Sequence, residues 1–216
     1  TDVPVLPGSS AMRNGQPGST RFTHSVEIGD WGLATNLQSL ISSLQSPTII
    51  ALGPLTNVAA ALDRDPTLAQ RAQVVAMAGK LGAPYPDWNL RCDPLAARRV
   101  LASGVPLRMV GMHLTLRTKM RPAQLQRLFG RDDALGRFLG RCVLEWRTRK
   151  RRMPFLHDVL TVAAAADPSL ITWQPRRVLI GPRGFSLALR TGRPNALVGV
   201  GVDIDRFWRM VEGELL

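Results

Sequence analysis

Between residues 47 and 112 the chain alternates short apolar runs with helix-forming stretches, and this alternation leaves few folds open to it. Pro47-Thr48-Ile49-Ile50-Ala51-Leu52-Gly53 is a β-branched apolar run ending in glycine, the pattern of a strand buried on both faces. Thr56-Asn57 open an alanine-rich helical stretch to about Arg64, stopped at Asp65-Pro66. Gln73 to Gly79 repeats the strand signal, and a Gly/Pro loop, Lys80 to Pro86, follows it. Asp93-Pro94 pairs an N-cap with proline at the first helical position, and that helix runs to about Ser103. After Gly104, Pro106 to Met112 is a third apolar strand. Strand, helix, strand, helix, strand at these lengths requires parallel pairing with right-handed crossovers.

The tail reads differently. Arg176–Ile180, Phe185–Thr191 and Ala196–Val202 are short strands between Gly/Pro/Asn turns, and Asp205–Leu216 is a terminal helix. The fold class expected is therefore α/β: a mostly parallel open sheet flanked by helices, with a short antiparallel extension near the C-terminus. A length of 216 residues fits a single domain over 1–216.

Charge is unevenly placed. The chain has 28 basic and 16 acidic residues, a formal net charge of +12. Residues 117–152 hold twelve of the basic side chains and only Asp132, Asp133 and Glu145 on the acidic side, so +9 of the net charge lies on one arm. Leu135, Phe138, Leu139, Cys142 and Trp146 recur there at helical spacing after Asp132 or Asp133 as N-cap, which predicts an amphipathic helix with a basic outer face. Such an arm is either a solvated surface or an anion-attracting patch, with Arg147, Arg149, Arg151 and Arg152 as its densest cluster. The apolar content of 45% excludes a disordered chain, and no apolar run approaches a membrane-spanning length. Cys92 and Cys142 are too few for a disulfide framework, so a cytoplasmic setting is expected.

In parallel α/β sheets, ligands bind where strands end and loops enter helices. Gly53-Pro54-Leu55-Thr56-Asn57 lies at such a place, although Thr-Asn is also an ordinary helix cap. Asp87-Trp88-Asn89 follows the second strand; in an extended loop its carboxylate and amide point to one side and suit a polyhydroxylated ligand. The alternative is an Asx turn leading into the Asp93 helix. His157-Asp158 opens a helix running through Ala166 and combines a proton-transfer group with a hard oxygen ligand. Gly29-Asp30-Trp31-Gly32 is a turn that could border a pocket, while His24 and His113 have no such setting.

Taken in order, Ile50-Ala51-Leu52-Gly53-Pro54-Leu55-Thr56-Asn57-Val58-Ala59, Met77-Ala78-Gly79, Asp87-Trp88-Asn89, Asp93-Pro94, Ala96-Ala97 and Leu156-His157-Asp158 resemble the inosine–uridine-preferring nucleoside hydrolases, calcium-dependent enzymes that split the N-glycosidic bond of ribonucleosides. The resemblance implies that the Thr56 carbonyl and the Asp158 carboxylate ligate one Ca²⁺. It implies that His157 protonates the leaving base, that Asn89 binds ribose hydroxyls, and that Met77 and Asp87 line the sugar site. It also implies a homo-oligomer.

The family's Asp-rich opening motif, which supplies further calcium carboxylates and the general base, has no counterpart here. Asp2 stands alone, Asp87 stands where the family has Glu, Ile28 replaces a His, and Leu81-Gly82-Ala83 offers no amide. The chain is expected to begin after the family's first strand–helix unit, as an incomplete hydrolase or as a naturally inactive relative. Two functions follow. The first is N-glycosidic hydrolysis of ribonucleosides. The second is a hydrolase-like scaffold without turnover that binds nucleotide phosphate or RNA through its Arg-rich arm. A hydrolase of phosphorylated nucleosides would unite the arm with the site.

Overall fold

The computed structural model of the protein describes residues 44–81, 86–214 and 216. Six strands form one sheet: β1 (Thr48–Ala51), β2 (Gln73–Met77), β3 (Leu107–Val110), β4 (Ile171–Ile180), β5 (Ser186–Leu189) and β6 (Ala196–Val202). Their spatial order is β1-β2-β3-β6-β4-β5. The pairs β1–β2, β2–β3 and β3–β6 are parallel, and β4 runs antiparallel to both β6 and β5. The sheet is thus mostly parallel with an antiparallel end. One detail corrects the expectation from the tail: β6 belongs to the parallel part through β3, and only β4 runs against the other strands. The partner of β6 is β3, a strand nearly ninety residues away, so local turn signals gave no access to it.

The helices are α1 (Thr56–Arg64), α2 (Leu68–Arg71), α3 (Trp88–Cys92), α4 (Pro94–Ala102), α5 (Met112–Thr115), α6 (Pro122–Gly130), α7 (Ala134–Lys150), α8 (His157–Ala166) and α9 (Ile204–Glu214). The two faces of the sheet build two cores, as the period-two alternation of strand side chains dictates. Val74, Ala76, Leu107 and Met109 pack with Val58, Leu62, Ala97 and Val100 of α1 and α4. Val75 and Val110 pack on the other face with Leu160 and Ala164 of α8 and with Phe207, Trp208 and Val211 of α9. The helix starts follow their capping chemistry. Asp93 accepts from Ala96 N ahead of Pro94, and Asp133 accepts from Gly136 N.

Strand β1 departs from its expected double burial. Thr48 and Ile50 are exposed, and Ile50 keeps 39% of its surface in solvent. Among the described residues β1 pairs with β2 alone. An apolar run reports strand character, but the count of its neighbours is a property of the whole sheet.

The basic arm is also not one amphipathic helix. It runs from a short 3₁₀ turn at Leu116–Thr118 into α6 and α7, which form a helical pair. Pro122 starts α6, and Gln124 Oε1 accepts from Arg121 N there. The Leu135/Phe138/Cys142 stripe of α7 faces solvent, with Leu135 at 47% and Phe138 at 55% exposure. Gly136 and Gly140 are its buried positions. A Cβ on Gly136 would stand 2.3 Å from Arg131 Cβ, and one on Gly140 would stand 3.3 Å from the Phe129 ring. The close approach of α7 to α6 therefore runs along glycines, while Leu139 and Val143 pack partly against the second core and Leu135, Phe138 and Leu144 stay exposed.

The antiparallel end of the sheet touches the loop side of the molecule. Gly184, in the β4–β5 connection, has φ +80°, and a Cβ there would lie 2.5 Å from Leu90 O and 2.6 Å from Arg91 N. Glycine at that turn lets the hairpin pack directly on the backbone of α3. No helix among the described residues is long and apolar enough to cross a membrane.

Candidate active site

The site residues gather at the carboxyl ends of the parallel strands. After β1, Leu52 O accepts from Asn89 Nδ2 at 3.1 Å; after β2, Met77 O accepts from the same nitrogen at 2.8 Å. Two carbonyls can only accept, so they fix the amide nitrogen inward and leave the Asn89 oxygen as the atom able to meet a ligand. Met77 is buried at the end of β2, its sulfur 3.6 Å from the same amide.

Asp87 stands differently from its expected place. It is 2% exposed and caps α3, accepting from Asn89 N at 3.0 Å and Leu90 N at 3.2 Å, while its other oxygen accepts from Gly79 N at 2.6 Å. Burial pushes its carboxyl above the ordinary carboxylate range, and the three N–H donors act against that shift. Asp87 and Asn89 are thus not two side chains of an extended loop. The Asx-turn alternative comes closer, but the helix that Asp87 caps is α3 and not the one that starts after Asp93: Asp87 turns inward as the cap and Asn89 lies in the first turn of α3. Asp87 shapes the loop between β2 and α3.

Thr56 is the first residue of α1, and Leu55 precedes it without a side-chain cap bond. The Thr56 hydroxyl donates instead to Asp93 Oδ2 at 2.7 Å, while Asp93 Oδ1 accepts from Ala96 N at 2.9 Å. One buried carboxylate therefore ties the start of α1 to the start of α4.

His157 is the first residue of α8. Its approach is strapped down by the turn after α5: Leu156 N donates to Thr118 Oγ1 at 2.9 Å, Thr118 Oγ1 donates to Thr115 O at 2.6 Å, and Met120 N donates to Pro154 O at 2.9 Å. The His157 ring then meets the fully buried Thr115, with Nδ1 2.6 Å from Oγ1. That hydroxyl also lies 3.4 Å from Met112 O. It can donate to Met112 while accepting from Nδ1–H, or it can donate to Nδ1; in both states Nε2 is the nitrogen left for a ligand. Burial and, secondarily, the Arg152 guanidinium hold His157 below the ordinary imidazole range. Asp158 follows as an acidic residue in the first turn, where the helix dipole favours it, and it is exposed on one side. The protein packed around its other side pushes its carboxyl upward.

The remaining expectations divide. His113 is structural: Nε2 donates to Gly199 O at 2.8 Å, and its buried Nδ1 has no partner. Of the arginine cluster, Arg149 pairs with Glu145 at 2.5 Å, and Arg152 stacks over Trp146 with its guanidinium carbon 5.6 Å from the ring centroid. His24, Ile28 and the Gly29–Gly32 turn with Trp31 lie outside the described residues, as do Asp2, Gly82 and Ala83. Thr115 carried no sequence signal, because its partner is 42 residues away.

Among the described residues, no three His, Cys, Asp or Glu side chains come together as a metal cluster. Ca²⁺ takes about six to eight oxygens. The Thr56 carbonyl and Asp158 do not amount to that set, so the described donors do not fit a complete calcium site.

The chain is similar to known proteins in sequence and in fold. The chain is 29% identical over 195 residues to the pyrimidine-specific ribonucleoside hydrolase RihB of Escherichia coli O17:K52:H18 (strain UMN026 / ExPEC), covering 82% of this chain and 62% of that relative's length. Among solved structures, a plant nucleoside hydrolase, the PpNRh1 enzyme, superposes with a TM-score of 0.81 at 25% identity, over 98% of this chain and 80% of that one. A purine-preferring ribonucleoside hydrolase from Gardnerella vaginalis superposes with a TM-score of 0.74 at 27% identity, over 83% of this chain and 65% of that one. The family model for inosine-uridine preferring nucleoside hydrolases matches residues 1–209. With that match joined to the sheet order and to the residues at its carboxyl edge, the chain belongs to the inosine–uridine preferring nucleoside hydrolase family.

Proposed function

We propose that the protein hydrolyses the N-glycosidic bond of ribonucleosides, yielding ribose and a free base. The observation that carries this reading is the shared placement of His157 and Asn89. Each is held by specific hydrogen bonds at the carboxyl edge of one parallel sheet, the location where such sheets bind ligands. Relatives named as ribonucleoside hydrolases support it.

In this reading the Asn89 oxygen accepts from a ribose hydroxyl, and Met77 packs beneath the sugar. Water forms the new bond at C1′ and gives up a proton to solvent, while the bond to the base breaks and its electron pair leaves with the base. His157 presents Nε2 to the departing base, and its lowered basicity makes the imidazolium a stronger acid when protonated. The transition state carries positive charge on the sugar, so the exposed Asp158 carboxylate is a favourable neighbour.

Calcium is a separate arm of the proposal. A bound Ca²⁺ would orient the ribose diol and its water, with the Thr56 carbonyl and Asp158 as this chain's contribution. Because the described donors are too few, no step above is derived through the ion. Chelation followed by Ca²⁺ restoration tests that arm by itself. The reading also includes homo-oligomers, tested by sedimentation. It includes a cytoplasmic setting too, in keeping with the free thiols of Cys92 and Cys142.

Release of free base and ribose from uridine and inosine, followed by chromatography, tests the central proposal. Wild-type protein should release base, and His157→Asn should lower the rate. The second reading, an inactive scaffold that binds nucleotide phosphate or RNA through Arg147, Arg149, Arg151 and Arg152, rests on this cluster alone, of which Arg149, Arg151 and Arg152 are exposed at the end of α7. It predicts RNA retention that falls steeply with salt and no base release.

A further inference from the structure

The seam between α6 and α7 closes on Gly136 and Gly140, and several larger apolar side chains of the pair face solvent. Phe129 at the end of α6 is 46% exposed, and Phe138 and Leu144 on α7 are each 55% exposed. Single exposed apolar residues are ordinary on a protein surface, but a group of them on one helical pair marks a place of interaction. These three surround two arginines. At about 3.6 residues per turn, Leu144, Arg137, Arg141 and Phe138 follow one another within an arc of about 120° on α7. Phe129 and Leu144 share a groove of about 590 Å³ with Arg137 and Arg141, and Phe138 lies outside that groove, beyond the arginines.

The charge of this face has one sign. Arg131, Arg137 and Arg141 line the groove, and no acidic side chain does. Arg131 is paired with Asp133, the cap of α7, and Glu145 on the exposed arc is paired with Arg149. Arg137 and Arg141 are exposed, and among the described residues neither forms an ion pair. Both belong to the arm that carries +9 of the net charge.

Apolar side chains on both sides of two unpaired guanidinium groups match an anionic bilayer. Phenylalanine and leucine enter the boundary of the acyl chains, while arginine lays its aliphatic stem beside them and its charge at the phosphates. Other partners use less of the face. RNA would engage the arginines, but leucine offers its bases no stacking surface. An acidic peptide in the groove would cover Phe129 and Leu144 and leave Phe138 in solvent. A second copy of this chain would bring charge of the same sign, since the residues outside the arm are net basic as well.

We infer that the outer face of α6 and α7 docks on an anionic lipid bilayer, with Phe129, Phe138 and Leu144 at the acyl boundary and Arg137 and Arg141 at the lipid phosphates. The contact is peripheral: no helix among the described residues is long and apolar enough to cross a membrane. It goes beyond the hydrolase reading and does not depend on it, because none of these five residues belongs to the site that holds Asn89 and His157.

Co-sedimentation with vesicles tests this, with phosphatidylcholine alone set against phosphatidylcholine mixed with phosphatidylglycerol. Wild-type protein should bind the mixed vesicles at least about tenfold more tightly, since one arginine near an anionic surface contributes roughly fivefold. Added salt should shrink the difference. Arg137→Gln combined with Arg141→Gln should weaken binding to the mixed vesicles by about tenfold or more. Phe138→Ser combined with Leu144→Ser should lose about as much, through apolar surface that no longer enters the lipid. All four side chains are exposed, so both variants should melt with wild type. If the serine variant does not fold, Phe138→Trp supplies the apolar test: brominated lipid in the mixed vesicles should quench its fluorescence more than that of wild type. Salt dependence of the wild type does the same for the arginines.

Equal binding to the two kinds of vesicle, binding to neither, or binding that survives both double variants overturns the proposal. So does loss with the arginine variant alone, shared by RNA, which would mark a general polyanion surface. Binding of an acidic helical peptide, or self-association through Phe138, without vesicle binding would assign the face to a protein partner and overturn it as well.

Discussion

Thr115 Oγ1 lies 2.6 Å from His157 Nδ1, joining the turn after β3 to the first residue of α8. Because the Thr115 side chain is fully buried, the contact fixes the imidazole orientation and leaves Nε2 as its working nitrogen. Thr115→Val removes the hydroxyl while keeping the shape. We expect it to lower uridine turnover roughly 10- to 100-fold through misplacement of the ring, with KM changed far less than kcat. Thr115→Ser should restore most of the loss. Steady-state kinetics of the two variants decide this, and equal rates for valine and threonine would refute the positioning role.

Asp93 holds two helix starts with one carboxylate, through Thr56 Oγ1 and Ala96 N. Asp93→Ala leaves both donors without their acceptor and should destabilise the protein by about 1–3 kcal/mol. Urea unfolding measures it. Thr56→Val removes only one of the two bonds and should cost less than half as much.

Asp87 is the acceptor for three backbone N–H groups in the loop that positions Asn89. Asp87→Ala should therefore lower stability by about 2 kcal/mol or more and weaken substrate binding together with it. A variant that kept full stability while losing substrate binding would show Asp87 acting on the ligand directly, contrary to its buried capping role.

His113 carries a buried Nδ1 without a partner, and burial holds its pKa below the ordinary 6.5. The unfolded chain therefore binds that proton more readily than the folded one. The stability linked to this group is complete above the unfolded value and declines as pH falls through it toward the folded pKa. His157 is shifted in the same direction. Thermal melts from pH 7.5 down to about 5 should show falling stability. In His113→Gln, whose amide can still donate to Gly199 O, the decline should be shallower. Identical slopes in the two proteins would contradict the assignment.

Gly184 approaches the α3 backbone too closely for a side chain, and its φ is positive. Gly184→Ala should cost roughly 1–3 kcal/mol and displace the helix that bears Asn89. The test is a combined melt and KM measurement. An unchanged KM would separate the hairpin from the site.

What could be read in the sequence was what neighbouring residues decide. The Asp93-Pro94 start of α4, the run from Thr56 to Arg64 and the entry into α8 at His157 are local signals, and each appears where expected. So does the ordered motif series that marked the family. What escaped were relationships between distant segments. The apolar run of β1 gave a strand but could not show that Ile50 keeps part of its surface in solvent. Helical spacing in α7 was real, and Leu139 packs against the core, yet the closest contact with α6 falls on Gly136 and Gly140, where a side chain would not fit. Asp87 and Asn89 were legible as polar residues near the site, but only the Gly79, Met77 and Leu52 backbone shows which atoms turn inward. The same holds for Arg152: its charge was plain, while its place beside Trp146 and His157 depends on the left-handed turn at Arg151.

The most direct measurement is the release of free base from uridine and inosine by this chain, with and without added Ca²⁺, alongside His157→Asn. The account predicts stoichiometric base and ribose from the wild type and a rate lowered by about 10²-fold or more in the variant. No base from any ribonucleoside under either condition, or equal rates for wild type and His157→Asn, would contradict it.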